Sequence, residues 1–278
     1  MKYMKNSAGK WITGTICFAM VSVLGAAPAW AQGEKRTIYT EHDFRWQGHL
    51  KAGQTLEVIN QNGQVEATTA TGDEARTEGT WRGDAERELF VEVVEYSDGV
   101  TICAVHAKDK APGRCHLGGV SSESESWSWS WRGRAKINFD VQVPRGVNFH
   151  GMTTNGSVVG RNLASVVEAA TTNGNVEVST SEWVSASTTN GGIKVSMGSA
   201  KWTGELKVST TNGSVEVTMP GSAEFRVDAA TTNGGIQTDF PVTVQGSFNS
   251  KELSGTVGGG GRELKVATTN GRIRLMKS

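Results

Sequence analysis

The tetrapeptide Thr-Thr-Asn-Gly occurs six times, at Thr153–Gly156, Thr171–Gly174, Thr188–Gly191, Thr210–Gly213, Thr231–Gly234 and Thr268–Gly271. Successive asparagines stand 18, 17, 22, 21 and 37 residues apart, the last interval being about two of the others. A short motif returning at this interval marks one supersecondary unit stacked on copies of itself, not six enzyme sites.

Aligned on the asparagine, the neighbouring columns sort by chemistry. Three residues after it stand Val158, Val176, Ile193, Val215, Ile236 and Ile273; six before it stand Phe149, Val167, Val184, Leu206, Val227 and Leu264. Four before it the column is small or β-branched, from Gly151 and Ala169 to Val266. Alternation on both sides of the turn predicts two short strands per repeat, each with one inward face. β-Branched side chains are stiff at χ1 and suit a pleated surface. In the turn, Gly is expected at positive φ and Asn in the left-handed region.

Two architectures share this alternation. An antiparallel hairpin meander or sandwich would use Asn-Gly as type I′ turns. A β-solenoid would place the motifs at equivalent corners, with Asn155, Asn173, Asn190, Asn212, Asn233 and Asn270 forming a hydrogen-bonded ladder. The exposed columns favour the solenoid. Glu177, Lys194 and Glu216, each four residues after an asparagine, would alternate in sign when stacked, and Lys207 would neighbour Asp228. A meander gives no reason for such complementarity.

A weaker copy, with Leu56, Val58, Asn62-Gly63, Val65 and Glu66 on the same columns, opens the chain after its leader. Between it and the first full motif, Leu89–Tyr96 and Val100–His106 read as a strand pair around Ser97-Asp98-Gly99. Ile137, Phe139, Val141 and Val143 form another alternating strand ended by Pro144-Arg145-Gly146. Ser121–Ser126 reads as a loop, and Gly258–Gly261 as a flexible turn before the final coil.

The first 31 residues read as a signal peptide. Lys2, Lys5 and Lys10 precede an apolar run, and Pro28-Ala29-Trp30-Ala31 offers a cleavage site after Ala31. The run is shorter than the roughly 20 residues a spanning helix needs, and Cys17 lacks the surroundings of a lipoprotein signal. Residues 32–145 are then expected to form an N-terminal β region, and 146–278 the repeat region. Removing the three leader lysines from 28 basic residues leaves 25 against 28 acids, which argues against a nucleic-acid partner.

Cys103 and Cys115 remain, and in an exported chain they are expected to form one disulfide. His106 and His116 beside them suggest a zinc site as the alternative, but the spacing fits no familiar module. His42, His49 and His150 show no metal spacing, no G-x-S-x-G motif occurs, and no cofactor is expected. Glu168, Glu177, Glu216 and Asp228 are spread among lysines instead of paired as glycoside hydrolysis requires. Trp127, Trp129 and Trp131 alternate with serines, so on a strand all three rings share one face. They are a candidate ligand platform for sugar rings or a protein; the opposing reading makes them a cover for the core.

Val143-Pro144-Arg145-Gly146 leading into T-x-N-G-x-[VI]-x-[VI] units, then Leu253-Ser254-Gly255-Thr256-Val257 with Gly258–Gly261 before a closing Thr268–Leu275 unit, resembles a bacterial family of β-strand-repeat adhesins, domain of unknown function 4097. The likeness runs from about Asp43 to Leu275. It implies a right-handed β-solenoid, exported or surface-located, with no established catalytic residues. The expected role is therefore non-catalytic: adhesin-like, or an envelope scaffold, with a glycan or envelope protein as partner. A carbohydrate-binding module or a polysaccharide-active β-helix enzyme is the alternative.

Overall fold

Every repeat delivers one strand to each of two β-sheets, and the strands of neighbouring repeats pair in parallel. In the computed structural model the described residues are 34–40, 43–82, 89–106, 115–116, 119–120, 135–244 and 249–278. Gly33–Ser278 forms one unit. Its strands make a first sheet of twelve, a second of ten and a separate two-stranded pair, with no helix among the described residues.

Each coil is named here by its turn asparagine. The Asn62 coil contributes Thr55–Asn62 to the first sheet and Val65–Thr69 to the second. The Asn155 coil contributes Asn148–Asn155 and Val158–Leu163, and the Asn173 coil Val167–Asn173 and Val176–Thr180. Next come Val184–Ser187 with Ile193–Met197, and Glu205–Ser209 with Val215–Met219, the Asn190 and Asn212 coils. The Asn233 coil is Phe225–Asn233 with Ile236–Thr238, and the Asn270 coil Glu263–Asn270 with Ile273–Lys277.

The strands flanking a turn lie in different sheets, so the hairpin-meander alternative is excluded. Register is kept residue for residue: Val167 lies beside Phe149 and Val184, and Val176 beside Val158 and Ile193. A single-residue slip would turn every inward side chain outward, so the apolar columns hold the register. Those columns are buried almost completely from Leu56 and Phe149 through Leu264 and Leu275, with Ile236 at the end of the second sheet half-buried.

Among the seven coils, spatial order departs from chain order at one place. The Asn270 coil lies between the Asn212 and Asn233 coils, pairing in parallel with both in both sheets. The expected neighbours Lys207 and Asp228 are therefore separated: each stands beside Lys265. The second sheet supplies a physical reason. Arg274 continues the alternation after Glu177, Lys194 and Glu216, and its guanidinium donates to Glu216 at 2.7 Å. Gln237, the residue of the Asn233 coil in that column, carries no charge for Glu216 to meet.

Antiparallel strands close the stack. At one end Gly99–His106 pairs in parallel with Thr55–Asn62 and is followed by antiparallel Leu89–Glu95 and Lys35–Tyr39. In the second sheet Lys136–Val143 pairs in parallel with Val65–Thr69, then Glu74–Arg82 and Asp43–His49 follow antiparallel. At the other end Glu252–Val257 runs antiparallel to Phe225–Asn233. Aromatic rings fill both ends: Tyr39, Phe44 and Phe139 at one, Trp202, Phe225 and Phe240 at the other, mostly edge to face. Bulky rings cover an interior that has no further coil to lie on it.

Candidate functional site

The repeated turns make one continuous edge. In the spatial order Asn62, Asn155, Asn173, Asn190, Asn212, Asn270, Asn233, each asparagine side-chain amide donates to the side-chain oxygen of the one before it, with every bond 2.7–2.8 Å long. An amide group has two N–H donors and an oxygen with two lone pairs. An interior rung thus spends one donor and one acceptor on its neighbours and keeps one of each. Six of the seven asparagines are exposed, Asn62 half-buried. Asn190→Ala removes two of these bonds; because they face water, a loss of about 1 kcal/mol is expected, read by urea denaturation.

The two threonines of the motif divide the work. The first is buried, and its hydroxyl donates to the turn glycine carbonyl of the neighbouring coil: Thr153 to Gly63, Thr171 to Gly156, Thr188 to Gly174, Thr210 to Gly191, Thr268 to Gly213 and Thr231 to Gly271, at 2.8–3.0 Å. The second lines the surface beside the asparagines: Thr172, Thr189, Thr211, Thr232 and Thr269 are exposed and Thr154 half-buried. The turn glycine has a further reason beside the positive φ that Gly63, Gly156 and Gly191 adopt. A Cβ on Gly174 or Gly213 would sit 1.9 Å from the carbonyl oxygen of the adjacent turn. Close backbone approach excludes a side chain, and the motif asparagines stay out of the left-handed region: among the described residues only Asn162 is a non-glycine at positive φ.

The edge also carries little charge. Two residues after the asparagine stand Gln64, Ser157, Asn175, Gly192, Ser214 and Gly235, and only Arg272 in that column is ionic. The result is a strip of amides and hydroxyls along seven coils, with equivalent groups spaced about 4.8 Å apart. A family model described as Toastrack DUF4097 matches residues 52–276, which takes in all seven coils and the strands between them. The chain belongs to this family.

Two solved structures are similar to this Toastrack chain. One is titled a "putative cell adhesion protein" from Clostridium sporogenes ATCC 15579; it is 9% identical, with a TM-score of 0.46, covering 85% of this chain and all of its own. The other, a "putative adhesin" from Bacteroides fragilis NCTC 9343, is 9% identical with a TM-score of 0.30, covering 85% and 97%. No curated protein matches the chain.

Cys103 and Cys115 of this Toastrack chain lie outside its main core. Cys103 and Cys115 are bonded, with Cα atoms 5.7 Å apart, so neither sulfur is free to ligate a metal. Both are fully buried in a second apolar cluster with Ile59, Phe90, Val94 and Val105. Beside the bridge, buried Glu92 accepts from Arg36 at 2.7 Å and from the Cys115 backbone N–H at 3.1 Å. Burial alone would lower the Arg36 pKa, but the hydrogen bond to Glu92 and the charges of Glu34 and Glu92 raise it overall. A second buried acid, Glu57, accepts from the Thr101 hydroxyl at 2.9 Å and lies 4.0 Å from His150, which is 3.9 Å from Glu168.

Strict alternation cannot reveal these buried acids. Their signal is the near-continuous apolar runs Leu56–Ile59 and Phe90–Val94, which mark strands covered on both faces. Among the described residues no three His, Cys, Asp or Glu side chains are grouped to hold a metal, and no helix is long and apolar enough to cross a membrane. Glu177 and Glu216 stand in one column with Lys194 between them, while Glu168 and Asp228 lie on the other sheet. Trp127, Trp129 and Trp131, and the Ser121–Ser126 loop, lie outside the described residues.

Three acids do meet on the second sheet. Asp140 stands directly between Glu78 and Glu66, and Arg161 pairs with Glu66. Partial burial, then the charges of Glu66 and Glu78, raise the Asp140 pKa. A folded state that binds the proton more tightly than the unfolded chain loses stability as pH rises through the folded pKa. Asp140→Asn is therefore expected to stabilise the protein at pH 7 by about 0.5 kcal/mol, the size of one cross-strand charge term. The gain should vanish below about pH 3, where the aspartate is neutral in both states; urea melts at the two pH values check this.

Proposed function

We propose that this Toastrack chain is an exported, non-catalytic β-repeat protein that presents a rigid surface for adhesion or for scaffolding in the cell envelope, with its coils wound right-handed. The observation that carries the reading is the turn edge with Arg272 as the one ionic residue of its flanking column, in which each interior asparagine keeps one amide donor and one acceptor for a partner. Such a strip complements a hydroxyl-rich glycan, or the polar backbone of an envelope protein, and offers little to a polyanion. It is pre-organised, because the ladder holds every amide in place before a partner arrives.

Catalysis finds less support. Of the two acids flanking His150, Glu57 is 1% exposed, so water and substrate cannot reach both carboxylates as hydrolysis requires. The tryptophans Trp127, Trp129 and Trp131 are a second candidate contact, since stacking on sugar rings would add to the hydrogen bonds of the edge.

A glycan array tests the reading with three proteins: the natural chain, a Thr172→Val/Thr189→Val/Thr211→Val variant and a Trp127→Ala/Trp129→Ala/Trp131→Ala variant. A specific signal lost in the threonine variant assigns binding to the edge, and one lost only in the tryptophan variant assigns it to the rings. Turnover of any polysaccharide would overturn the non-catalytic reading. Mass measurement of the exported protein should find Gln32 as its first residue.

A further inference from the structure

The Asn270 coil fills a slot between two coils that precede it in the chain. Those two coils also fit each other. Their asparagines are 21 residues apart, within the 17 to 22 that separate the asparagines of the directly stacked successive coils from Asn155 to Asn212. If the Asn233 coil moved one place, with every residue keeping its column, Glu205 would meet Arg226 and Lys207 would meet Asp228. Leu206 would meet Val227, and Val215 would meet Ile236. The occupied slot instead sets Glu205 beside Glu263 and Lys207 beside Lys265 on one side of the insert, and Arg226 beside Glu263 and Asp228 beside Lys265 on the other. On the like-charged side Lys265 reaches Glu205 on the diagonal at 2.6 Å. The hydrogen bond with Glu205, more than the neighbouring charge of Glu263, raises the Lys265 pKa.

The connections permit the movement. Glu252–Val257 pairs with the far side of Phe225–Asn233, so the two travel together. The inserted coil joins them through Gly258–Gly261, of which Gly258, Gly260 and Gly261 have φ of 58°, 74° and 105°.

We propose that residues 258–277 are an exchangeable insert: the coil leaves, its slot closes by direct stacking of the Asn212 and Asn233 coils, and it enters the slot of a second copy of this chain. Exchange keeps every contact of the inserted coil, now between chains, and reciprocal insertion closes a dimer. Closing the slot offsets part of what the open intermediate loses. The occupant is a second copy because the slot matches the columns of this coil residue for residue on both sides and in both sheets.

Cysteine trapping in the full chain tests both steps. Ser209 and Ala267 are direct cross-strand partners, as are Ala230 and Ala267. Ser209→Cys/Ala267→Cys should close a bridge within one chain and sets the detection level. Mixing full-length Ser209→Cys with full-length Ala267→Cys should give a disulfide-linked heterodimer that accumulates with concentration. Its absence, or a yield no greater than that of Ser209→Cys mixed with Thr243→Cys, would overturn the exchange. Ser209→Cys/Ala230→Cys reads slot closure separately. These positions are two strands, about 9.6 Å, apart with the insert in place, too far for a bridge. An internal bridge forming over time supports closure, and none forming while heterodimer accumulates would remove closure from the mechanism. Deleting Gly259 and Gly260 should shift the protein towards dimer on gel filtration, since a shortened hinge favours exchange; a folded variant that stays monomeric counts against the proposal.

Discussion

Val215→Asp is expected to abolish cooperative folding. Val215 is 0% exposed and lies between Ile193 and Ile273 in the middle of the second sheet. An aspartate there either loses its hydration unpaired or takes up a proton and still buries a carboxyl group without a partner. The expected cost is above about 4 kcal/mol, against a total stability of about 5–15 kcal/mol for a typical domain. Val176→Asp, 1% exposed and two coils away, should behave the same. Circular dichroism melts decide the matter: a normal transition in either variant would contradict the inward assignment of this column.

Gly213→Ala is expected to cost nearly as much for a single methyl group. Its Cβ would lie 1.9 Å from the Gly191 carbonyl oxygen and 2.5 Å from that carbonyl carbon. No rotamer relieves the clash, because the obstacle is backbone on the neighbouring coil. The same carbonyl accepts the Thr210 hydroxyl, so moving it away also stretches that bond. A loss of about 3 kcal/mol is expected, which lowers Tm by roughly 6–12 °C in a protein of this size. Gly53→Ala is the control. Gly53 has φ of 88° but nothing within 4 Å of a Cβ, so its cost is conformational only and should be smaller. Equal losses at the two sites would return the argument to backbone conformation.

The periodic columns of the repeats were legible because period-two alternation around a fixed turn is a local property. Inward placement of Val167, Val184 and Ile193 needs no knowledge of which coil lies beside which. Coil order is a different kind of fact. It depends on pairings between distant segments, and the 37-residue interval before Asn270 reads as a skipped coil as readily as an inserted one. A charge column did hold the answer, since Glu216 is better matched by Arg274 than by Gln237. The Lys207 column pointed the other way, towards Asp228, and a reading limited to consecutive repeats follows it.

The turn was half legible. Asn and Gly together suggest unusual dihedrals, but the close approach that excludes a Cβ is made by another coil and leaves no mark in the local sequence. The donation from the first threonine to the neighbouring glycine is hidden for the same reason. Glu57 and Glu92 fall on columns that alternation assigns to solvent. Only the apolar residues on their own strands, Ile59 and Val94 among them, show that this face of the sheet is covered.

The place of the Asn270 coil also decides how the molecule carries load. A coil at the end of a stack can be peeled by a pull on the chain, one hydrogen bond at a time. This one is flanked by parallel strands on both sides in both sheets, so tension applied at Ser278 must part Ile273–Lys277 from two neighbours at once, and only then Glu263–Asn270 from two more, as a keystone shares thrust between the two halves of an arch.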